Sequence, residues 1–460
     1  MQFAIVIMAA GKGTRLNTKR PKVLHEVGGK TLLRHVVDAA RQIVPPEDIY
    51  VIVGHQARLV KDSLAGLGVQ FIEQAEQRGT GHAIQQAREA VEGYNDVIVL
   101  SGDVPLIRPE TIAKIRDFHL QRGAAMTVLT AAPKDLHGYG RVIRKSSNSN
   151  EIREIVEPKA LTSELARARE INSGIYAFTR PSLFAHIDSL GTQNAHGELY
   201  LTDMAAILVA AGEKVVALEA ENPDEVLGAN TIAEMMGIDG KLRLSTAHRL
   251  MASGVTIFQP ETTVIDAGVV VGPDTVIEPF VQLLGATKVG EECRIRSYSV
   301  LEHATLGNRV LVQQGCIITQ SRVDDGAVLG PYARLRPESE IGEGAHVGNF
   351  VETKRMRLGK GSKANHLSYL GDAEIGAGVN VGAGVITCNY DGVTKRKTII
   401  GDHVFVGSDA TLVAPLTLGD GSYIAAGSCI TDDVPEDALA LGRARQTIKE
   451  GWSVGRRNRK

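Results

Sequence analysis

Residues 400–430 read IGDHVFVGSDATLVAPLTLGDGSYIAAGSCI, with an aliphatic side chain at every sixth position: Ile400, Val406, Leu412, Leu418, Ile424 and Ile430. Glycine often follows it (Gly401, Gly407, Gly419), and a small residue often stands four places on (Ala410, Ser422, Ser428). A helix repeats near 3.6 residues and a lone strand near 2, so a sustained period of six requires a coil whose flat sides stack on one another. The aliphatic side chain points inward, glycine permits the turn, and the small side chain fits the corner. The same period runs through Val271, Ile277, Leu283, Val289, Ile295 and Leu301, and through Val323, Leu329, Leu335, Ile341 and Val347. It breaks between Thr353 and Leu370 and again from Thr387 to Thr398. Insertions in a solenoid collect on one face and commonly bear the binding site.

Up to about residue 230 the rhythm is different. Phe3 to Met8, Ile49 to Val53 and Val97 to Leu100 are strand-like, and Lys30 to Val44 and Thr80 to Val91 read as helices between them. Strand, helix, strand in succession predicts an α/β domain with a mostly parallel sheet and its ligands at the carboxyl ends of the strands. Ile232 to Ser253 has a loose helical pattern, weakened by Gly237 and Gly240, and reads as a connecting helix. The expected organisation is thus 1–232, a helical linker 233–253, and a coil over 254–460.

A chain of 460 residues, with 43% apolar and 23% charged side chains, is large enough for at least two cores and is neither disordered nor collagenous. The net charge of −2 offers no global field for a nucleic-acid polyanion. No apolar run approaches the ~18 residues of a membrane helix, and no basic segment precedes the short apolar opening as it would in a signal peptide. A cytoplasmic protein without nucleic-acid or membrane partners is expected. The four cysteines, Cys293, Cys316, Cys388 and Cys429, have neither C-x-x-C spacing nor histidine partners at zinc distances, and read as reduced, mostly packed thiols.

Gly11-Lys12-Gly13-Thr14-Arg15 directly follows the first strand. Backbone amides freed by glycine and flanked by cations suit phosphate oxygens. The segment is neither a P-loop nor a dinucleotide fingerprint, because Leu16 stands where the latter needs Gly or Ala. Arg20-Pro21-Lys22 lies close behind, and Ser101-Gly102-Asp103 ends another strand. An aspartate there can hold Mg²⁺ against substrate phosphates, since magnesium keeps most of its waters and needs one or two protein oxygens. The alternative is a loop cap; the glycine-rich cationic loop beside it favours the metal.

In order, AAGKGTR (9–15), RPKVLH (20–25), QAEQRGTGHA (74–83), SGDVPL (101–106), HGYGR (137–141), IVEPK (155–159) and INSG (171–174) precede the hexapeptide coil. This pattern resembles the family of bacterial bifunctional N-acetylglucosamine-1-phosphate uridyltransferases and glucosamine-1-phosphate acetyltransferases, along essentially the whole chain. The resemblance implies a Rossmann-like nucleotidyltransferase domain joined to a left-handed parallel β-helix, a homotrimer, and synthesis of UDP-N-acetylglucosamine for peptidoglycan and lipopolysaccharide. It implies that Met8, Ala9, Ala10 and Gly11 line the nucleotide with Ser101 and Gly102, and that Lys22 contacts phosphate. Gln74, Gly79 and Thr80 would read uracil; Gly140, Glu157 and Asn172 would bind the sugar; Asp103 and Asn230 would hold Mg²⁺. The family often has Tyr where Ser101 stands, a mild departure if the backbone makes that contact.

His366 lies inside the first break in the hexapeptide register, with Arg336, Lys354, Tyr369, Asn380, Asn389 and Tyr390 around the interrupted coils. Amide formation from an amine and a thioester needs a base, a task that suits imidazole, and donors for the developing oxyanion. By the resemblance His366 is that base, Arg336 and Lys354 grip the sugar phosphate, and Tyr369, Asn380, Asn389 and Tyr390 surround sugar and acetyl group. Ala383, Ser408, Ala426 and Arg443 would contact acetyl-CoA, the co-substrate. Ala444-Arg445 departs from the Val-Pro expected after Arg443, and the basic tail Arg456 to Lys460 reads as a solvated terminus before a coenzyme contact. Two other readings remain open at this point: a nucleotidyltransferase whose coil only oligomerises or regulates, and a non-enzymatic sugar-nucleotide sensor or structural solenoid.

Overall fold

The computed structural model of the protein describes residues 3–13, 16–136, 138–146, 149–194 and 196–457. Thr14 and Arg15 of the glycine-rich loop, His137 of HGYGR and the last three tail residues lie outside them. The chain forms two compact units, Met1–Leu242 and Arg243–Lys460. The division falls within a helix, Ile232–Ala252, that carries Gly237 and Gly240 without interruption.

The first unit is built on a nine-stranded sheet. Its strands are β1 (Phe3–Met8), β2 (Ile49–Val53), β3 (Gln70–Glu73), β4 (Asp96–Ser101), β5 (Met126–Ala131), β6 (Arg141–Arg144), β7 (Ile152–Val156), β8 (Ile171–Thr179) and β9 (Val215–Glu219). The main path runs β9-β5-β8-β4-β1-β2-β3, with β6 and β7 as a hairpin beside β8. Only β8 runs against its neighbours in that path. Five consecutive residues of β1, Phe3 to Ile7, are buried, as are five of β4, Asp96 to Leu100. Burial of both faces is what a parallel sheet covered by helices requires. With β1 between β4 and β2, the carboxyl ends of three parallel strands open on one crevice.

Two helices are shorter than the apolar pattern predicts. Lys30 and Thr31 pair with Glu26 and Val27 in a small hairpin, so the helix starts at Leu32 and ends at Ala40, with Thr31 accepting a hydrogen bond from Arg34 N at 3.1 Å as its cap. The helix from Thr80 stops at Gln85 and continues as turns.

In the second unit nine coils contribute one short strand to each of three parallel sheets, and the last turns add the remainder, giving sheets of 11, 10 and 9 strands. Ile277 sits over Ile295 and Ile295 over Val312 on the first wall; Leu283 over Leu301 and Ile318 on the second; Val289 over Leu306 and Val323 on the third. These side chains form one continuous core. Full burial of each is worth roughly 1.5–3 kcal/mol. The corners require left-handed backbone even where no glycine stands: Phe280, Tyr298, Tyr332, Phe350 and Leu367 all have φ between 52° and 65°.

The first predicted break is not an insertion. Thr353, Leu358, Ala364 and Leu370 are all fully buried, and their strands pair in unbroken register with the coils on either side. One corner is shortened by a residue, and a threonine and an alanine take inward places that the aliphatic pattern did not reveal. The second break is a true excursion: the chain leaves the wall after Cys388 and returns at Thr398. Cys293 and Cys316 are buried, Cys388 is half-buried and Cys429 exposed, so only two of the four free thiols are packed as predicted. Among the described residues no helix is long and apolar enough to cross a membrane.

Candidate active sites

A cavity of about 730 Å³ opens at the carboxyl ends of β1 and β4. Met8, Ala9, Ala10, Gly11, Lys22, Gln74, Gly79, Thr80, Ser101, Asp103 and Asn230 line it. Gly102 lies behind this lining and donates its N–H to Met8 O at 3.0 Å, tying the ends of β4 and β1 together. Glycine is required at two places by close approach. Gly13 has φ +62°, and a Cβ there would stand 2.5 Å from Cβ of Lys22; Gly79 has φ +110°, and its Cβ would meet the carbonyl oxygen of Leu199 at 2.5 Å.

Lys22 is the electrostatic centre of the cavity. Its ammonium donates to Asp103 Oδ2 and, at 3.0 Å, to Asn230 Oδ1, while Ser101 Oγ donates to Asp103 Oδ1 at 2.6 Å. Burial pushes the Asp103 carboxyl up, but the charge and hydrogen bond of Lys22, with the Ser101 hydroxyl, outweigh it and hold Asp103 below the ordinary carboxylate range. A carboxylate and an amide oxygen thus converge on one cation. That hard-oxygen set fits magnesium, which needs few protein ligands. Among the described residues no three His, Cys, Asp or Glu side chains cluster as a fuller metal cage would.

Gly140, Glu157 and Asn172 are not part of that lining. They belong to the hairpin and to β8: Asn172 N donates to Gly140 O at 3.0 Å, Asn172 Nδ2 to the Tyr176 hydroxyl at 2.9 Å, and Thr202 Oγ1 to Glu157 Oε1 at 3.0 Å. Gln74 is buried, its Nε2 donating to Gly79 O at 3.1 Å, and Thr80 Oγ1 accepts from Leu201 N at 3.0 Å.

In the second unit His366 closes the strand Lys363–His366, directly above Asn349, with its side chain exposed. Beyond it the backbone repeats one hydrogen bond from coil to coil: Leu367 N to Asn349 O, Gly384 N to His366 O, Asp409 N to Ala383 O, and Gly427 N to Ser408 O, at 2.7–3.3 Å. His366, Ala383, Ser408 and Ala426 therefore form one vertical column along an edge of the helix, one per coil. Stacked parallel strands are about 4.8 Å apart, so three small residues leave an extended track beside the imidazole. Asn380 lies on the adjoining wall, paired with Lys363 and Phe405. Arg443 follows Gly442, whose carbonyl accepts from Cys429 N at 3.0 Å, and is exposed at the end of the stack.

On the second wall Arg336 N donates to Thr353 O at 2.9 Å, placing Arg336 and Lys354 at equivalent places on successive coils. Arg336 is paired with Glu352 at 2.9 Å. The charge of Lys395, followed by that of Arg336, pushes the Lys354 ammonium below the ordinary lysine range, with Asp372 opposing. Four cations, including Arg355, thus crowd one region, an arrangement suited to an anion. The Tyr369 hydroxyl lies over Gly371, the register partner of Lys354. Asn389, Tyr390 and Lys395 belong to the excursion 389–397, where Tyr390 bridges Lys395 and Arg396 N donates to Asn389 O at 2.9 Å. Within it Asp391 accepts from the N–H groups of Thr394 and Val393, which hold its carboxyl down to about 2. A larger recess of about 930 Å³ on the third wall contains none of the predicted residues; within it Lys397 pairs with Glu374 and Arg355 with Asp372.

Residues 5–198 match the MobA-like NTP transferase domain, and residues 268–303 and 397–432 match the bacterial transferase hexapeptide of six repeats. The chain is 61% identical over 457 residues to "Bifunctional protein GlmU" of Koribacter versatilis (strain Ellin345), covering 99% of this chain and 97% of that one. It is 50% identical over 456 residues to the protein of that name from Solibacter usitatus (strain Ellin6076), with the same coverage. The corresponding protein of Pelobacter propionicus is 44% identical over 453 residues, covering 98% of each chain. The chain belongs to the bifunctional GlmU family.

Several residues of this GlmU-family chain that face its candidate sites were not predicted one by one. Lys12, Gly13, Gln77 and Ala83 line the first cavity and sit inside motifs already quoted, so proximity in sequence was their signal. Glu198 also lines it but comes from a segment with no motif; only folding brings it there, through Leu199 N donating to Arg78 O at 2.8 Å. Lys395 stands in the second register break, whose length was the only hint that it carried anything.

Proposed function

We propose that this chain makes UDP-N-acetylglucosamine in two steps: it acetylates glucosamine 1-phosphate with acetyl-CoA, then transfers UMP from UTP to N-acetylglucosamine 1-phosphate with release of pyrophosphate. The product supplies peptidoglycan and lipopolysaccharide. Residues 1–232 carry uridylyl transfer, 233–253 are the linker and 254–460 carry acetyl transfer. The observation that carries this reading is the presence in one chain of two unlike chemistries: a lysine-bound carboxylate and amide in a glycine-walled cavity, and an exposed imidazole at the head of a column of small residues. Membership of the GlmU family, whose relatives bear the name "Bifunctional protein GlmU", supports it.

In uridylyl transfer a sugar phosphate oxygen attacks the α-phosphorus of UTP, and two anions must meet. Lys22 neutralises phosphate charge; Met8 to Gly11, Ser101 and Gly102 supply the floor of the cavity; Gln74, Gly79 and Thr80 hold the base; Gly140, Glu157 and Asn172 orient the sugar. Asp103 and Asn230 would hold Mg²⁺, which when bound neutralises and orients the phosphates. No protein nucleophile is needed. In acetyl transfer His366 takes a proton from the amine as its nitrogen attacks the thioester carbonyl, and returns it to sulfur as the C–S bond breaks and coenzyme A leaves as the thiol; Arg336 and Lys354 hold the phosphate, and Tyr369, Asn380, Asn389 and Tyr390 enclose sugar and acetyl group. Acetyl-CoA lies along Ala383, Ser408 and Ala426 toward Arg443. The chain works as a cytoplasmic homotrimer on small molecules, without nucleic acid or membrane.

Two assays test this. Thiol release from acetyl-CoA should depend on glucosamine 1-phosphate, and pyrophosphate release should depend on UTP, N-acetylglucosamine 1-phosphate and Mg²⁺. Asp103→Ala should abolish the second and spare the first, and His366→Ala should lower the first by about 10²- to 10⁴-fold and spare the second. A wild-type chain lacking either release, or a folded variant losing both equally, sinks the two-site reading.

A further inference from the structure

Asp372 is one of the corner residues with left-handed backbone, at φ 50°. It touches both ends of the excursion 389–397. Its Oδ2 accepts from Asn389 Nδ2, at the entrance, and its carbonyl oxygen accepts from Thr398 N at 3.1 Å, at the exit. Its N–H donates to Lys354 O at 3.0 Å, and its Oδ1 pairs with Arg355 at 2.7 Å. The carboxylate is mostly buried, with 15% of its side-chain surface exposed. One residue thus joins the excursion to the two coils beneath it.

The chemistry of the carboxylate matters as much as its position. An ionised aspartate only accepts hydrogen bonds, so both neighbours must turn donors toward it. Arg355 has nothing else to offer. Asn389 has a donor and an acceptor on one planar group, and facing Asp372 with Nδ2 turns Oδ1 away from the carboxylate. We propose that Asp372 is a positioning residue for acetyl transfer: it latches the excursion and fixes the polarity of the Asn389 amide, so that Asn389 offers a carbonyl oxygen to an N–H of the sugar's amine. This rests on the acetyl-transfer reading. An acceptor at that place orients the amine's lone pair and is specific for an amino sugar, since a sugar already acylated on nitrogen has only one N–H and a lone pair delocalised into its carbonyl.

The experiment is a mutant cycle on the full-length protein, with pyrophosphate release as the internal control. Asp372→Asn can turn an amide donor toward Asn389 and lets that amide flip, so kcat/KM for glucosamine 1-phosphate should fall about 10- to 100-fold, the effect of losing a charge-assisted hydrogen bond. The KM for acetyl-CoA and the rate of uridylyl transfer should not change. Exchanging the pair, Asp372→Asn with Asn389→Asp, restores one donor facing one acceptor and should recover at least a tenfold part of the loss. In an Asn389→Ala background, Asp372→Asn should cost less than threefold, because the group it orients is gone. Full activity of Asp372→Asn overturns the proposal, as do no recovery in the exchanged pair and losses that simply multiply in the double variant. Failure of the wild type to transfer acetyl at all overturns the underlying reading instead, so the two failures are told apart.

Discussion

Lys22 and Asp103, separated by 81 positions in sequence, form an ion pair at the mouth of β1 and β4, with 14% and 20% of their side-chain surfaces exposed. Lys22 governs the ionisation of Asp103. Burial alone would raise the Asp103 carboxyl; Lys22 reverses that. Lys22→Ala should therefore let the Asp103 carboxyl rise above its present value. The acid limb of the pH profile of uridylyl transfer should move to higher pH, and thiol release should be unchanged. For the wild type, a depressed folded carboxyl contributes stability that is present above the ordinary aspartate range and lost as pH falls through the lowered value. An acid limb unmoved in the variant would mean that Lys22 does not set the ionisation of Asp103.

Gly79 permits a different kind of test, because its neighbour is backbone. A methyl group there would meet the carbonyl oxygen of Leu199 and demand positive φ of an alanine. The cost is about 1–3 kcal/mol of local strain, which Gly79→Ala can relieve only by moving the segment that carries Glu198. Uridylyl transfer should fall at least tenfold with a raised KM for UTP, while acetyl transfer keeps its rate. Normal kinetics for both reactions would show that this close approach is not needed.

His119 is buried between Thr127, at 2.8 Å from Nδ1, and Thr179, at 3.2 Å from Nε2, with the carboxylate of Asp96 3.6 Å away. Burial lowers its pKa, and the charge and hydrogen bond of Asp96 recover only part of that. Burial likewise lowers His35, which contacts Val27 O at 2.8 Å. A histidine whose folded pKa is depressed leaves stability intact above the ordinary value of about 6.5. Below it, the unfolded chain binds protons that the folded one does not, and stability falls until the lowered value is reached. The urea midpoint should therefore drop between pH 7 and pH 5, and His119→Gln should flatten that slope while lowering stability at pH 7. An unchanged slope would place the acid sensitivity elsewhere.

How much of this was legible in the sequence depended on whether a signal was local. The coil announced itself because Ile400 to Ile430 repeat a single-residue rule, inward aliphatic every six, that needs no knowledge of partners. The strand Phe3–Met8 was equally plain, since a strand buried on both faces is a continuous apolar run. The supposed break after Thr353 misled because an inward threonine or alanine satisfies the core as well as an aliphatic does, and only the register of neighbouring coils reveals it. Asp103 is legible from its strand end, but that Lys22 joins it to Asn230 is a fact of topology: Lys22 and Asn230 lie 208 positions apart. Asp372 had no signal at all, being one corner residue among many whose partner is set by where the excursion begins.

The cation cluster of the second unit supports a last prediction. Like charges on Lys395, Arg336 and Arg355 all lower the Lys354 ammonium. Such crowding is unfavourable, and a bound anion would relieve it. Lys395→Ala removes the charge with the largest effect on Lys354, so the pKa of Lys354 should rise toward the ordinary lysine value. The same variant should bind glucosamine 1-phosphate more weakly, with KM up about 5- to 50-fold, in keeping with one charge-assisted hydrogen bond, and with a shallower dependence of KM on salt. kcat should change less than KM, because a phosphate bound beside Lys395 would not itself react. Resonances of the Lys354 side chain followed against pH, together with KM at two ionic strengths, decide the matter. A Lys354 titration identical in both proteins, or a loss confined to kcat, would remove Lys395 from the phosphate's surroundings.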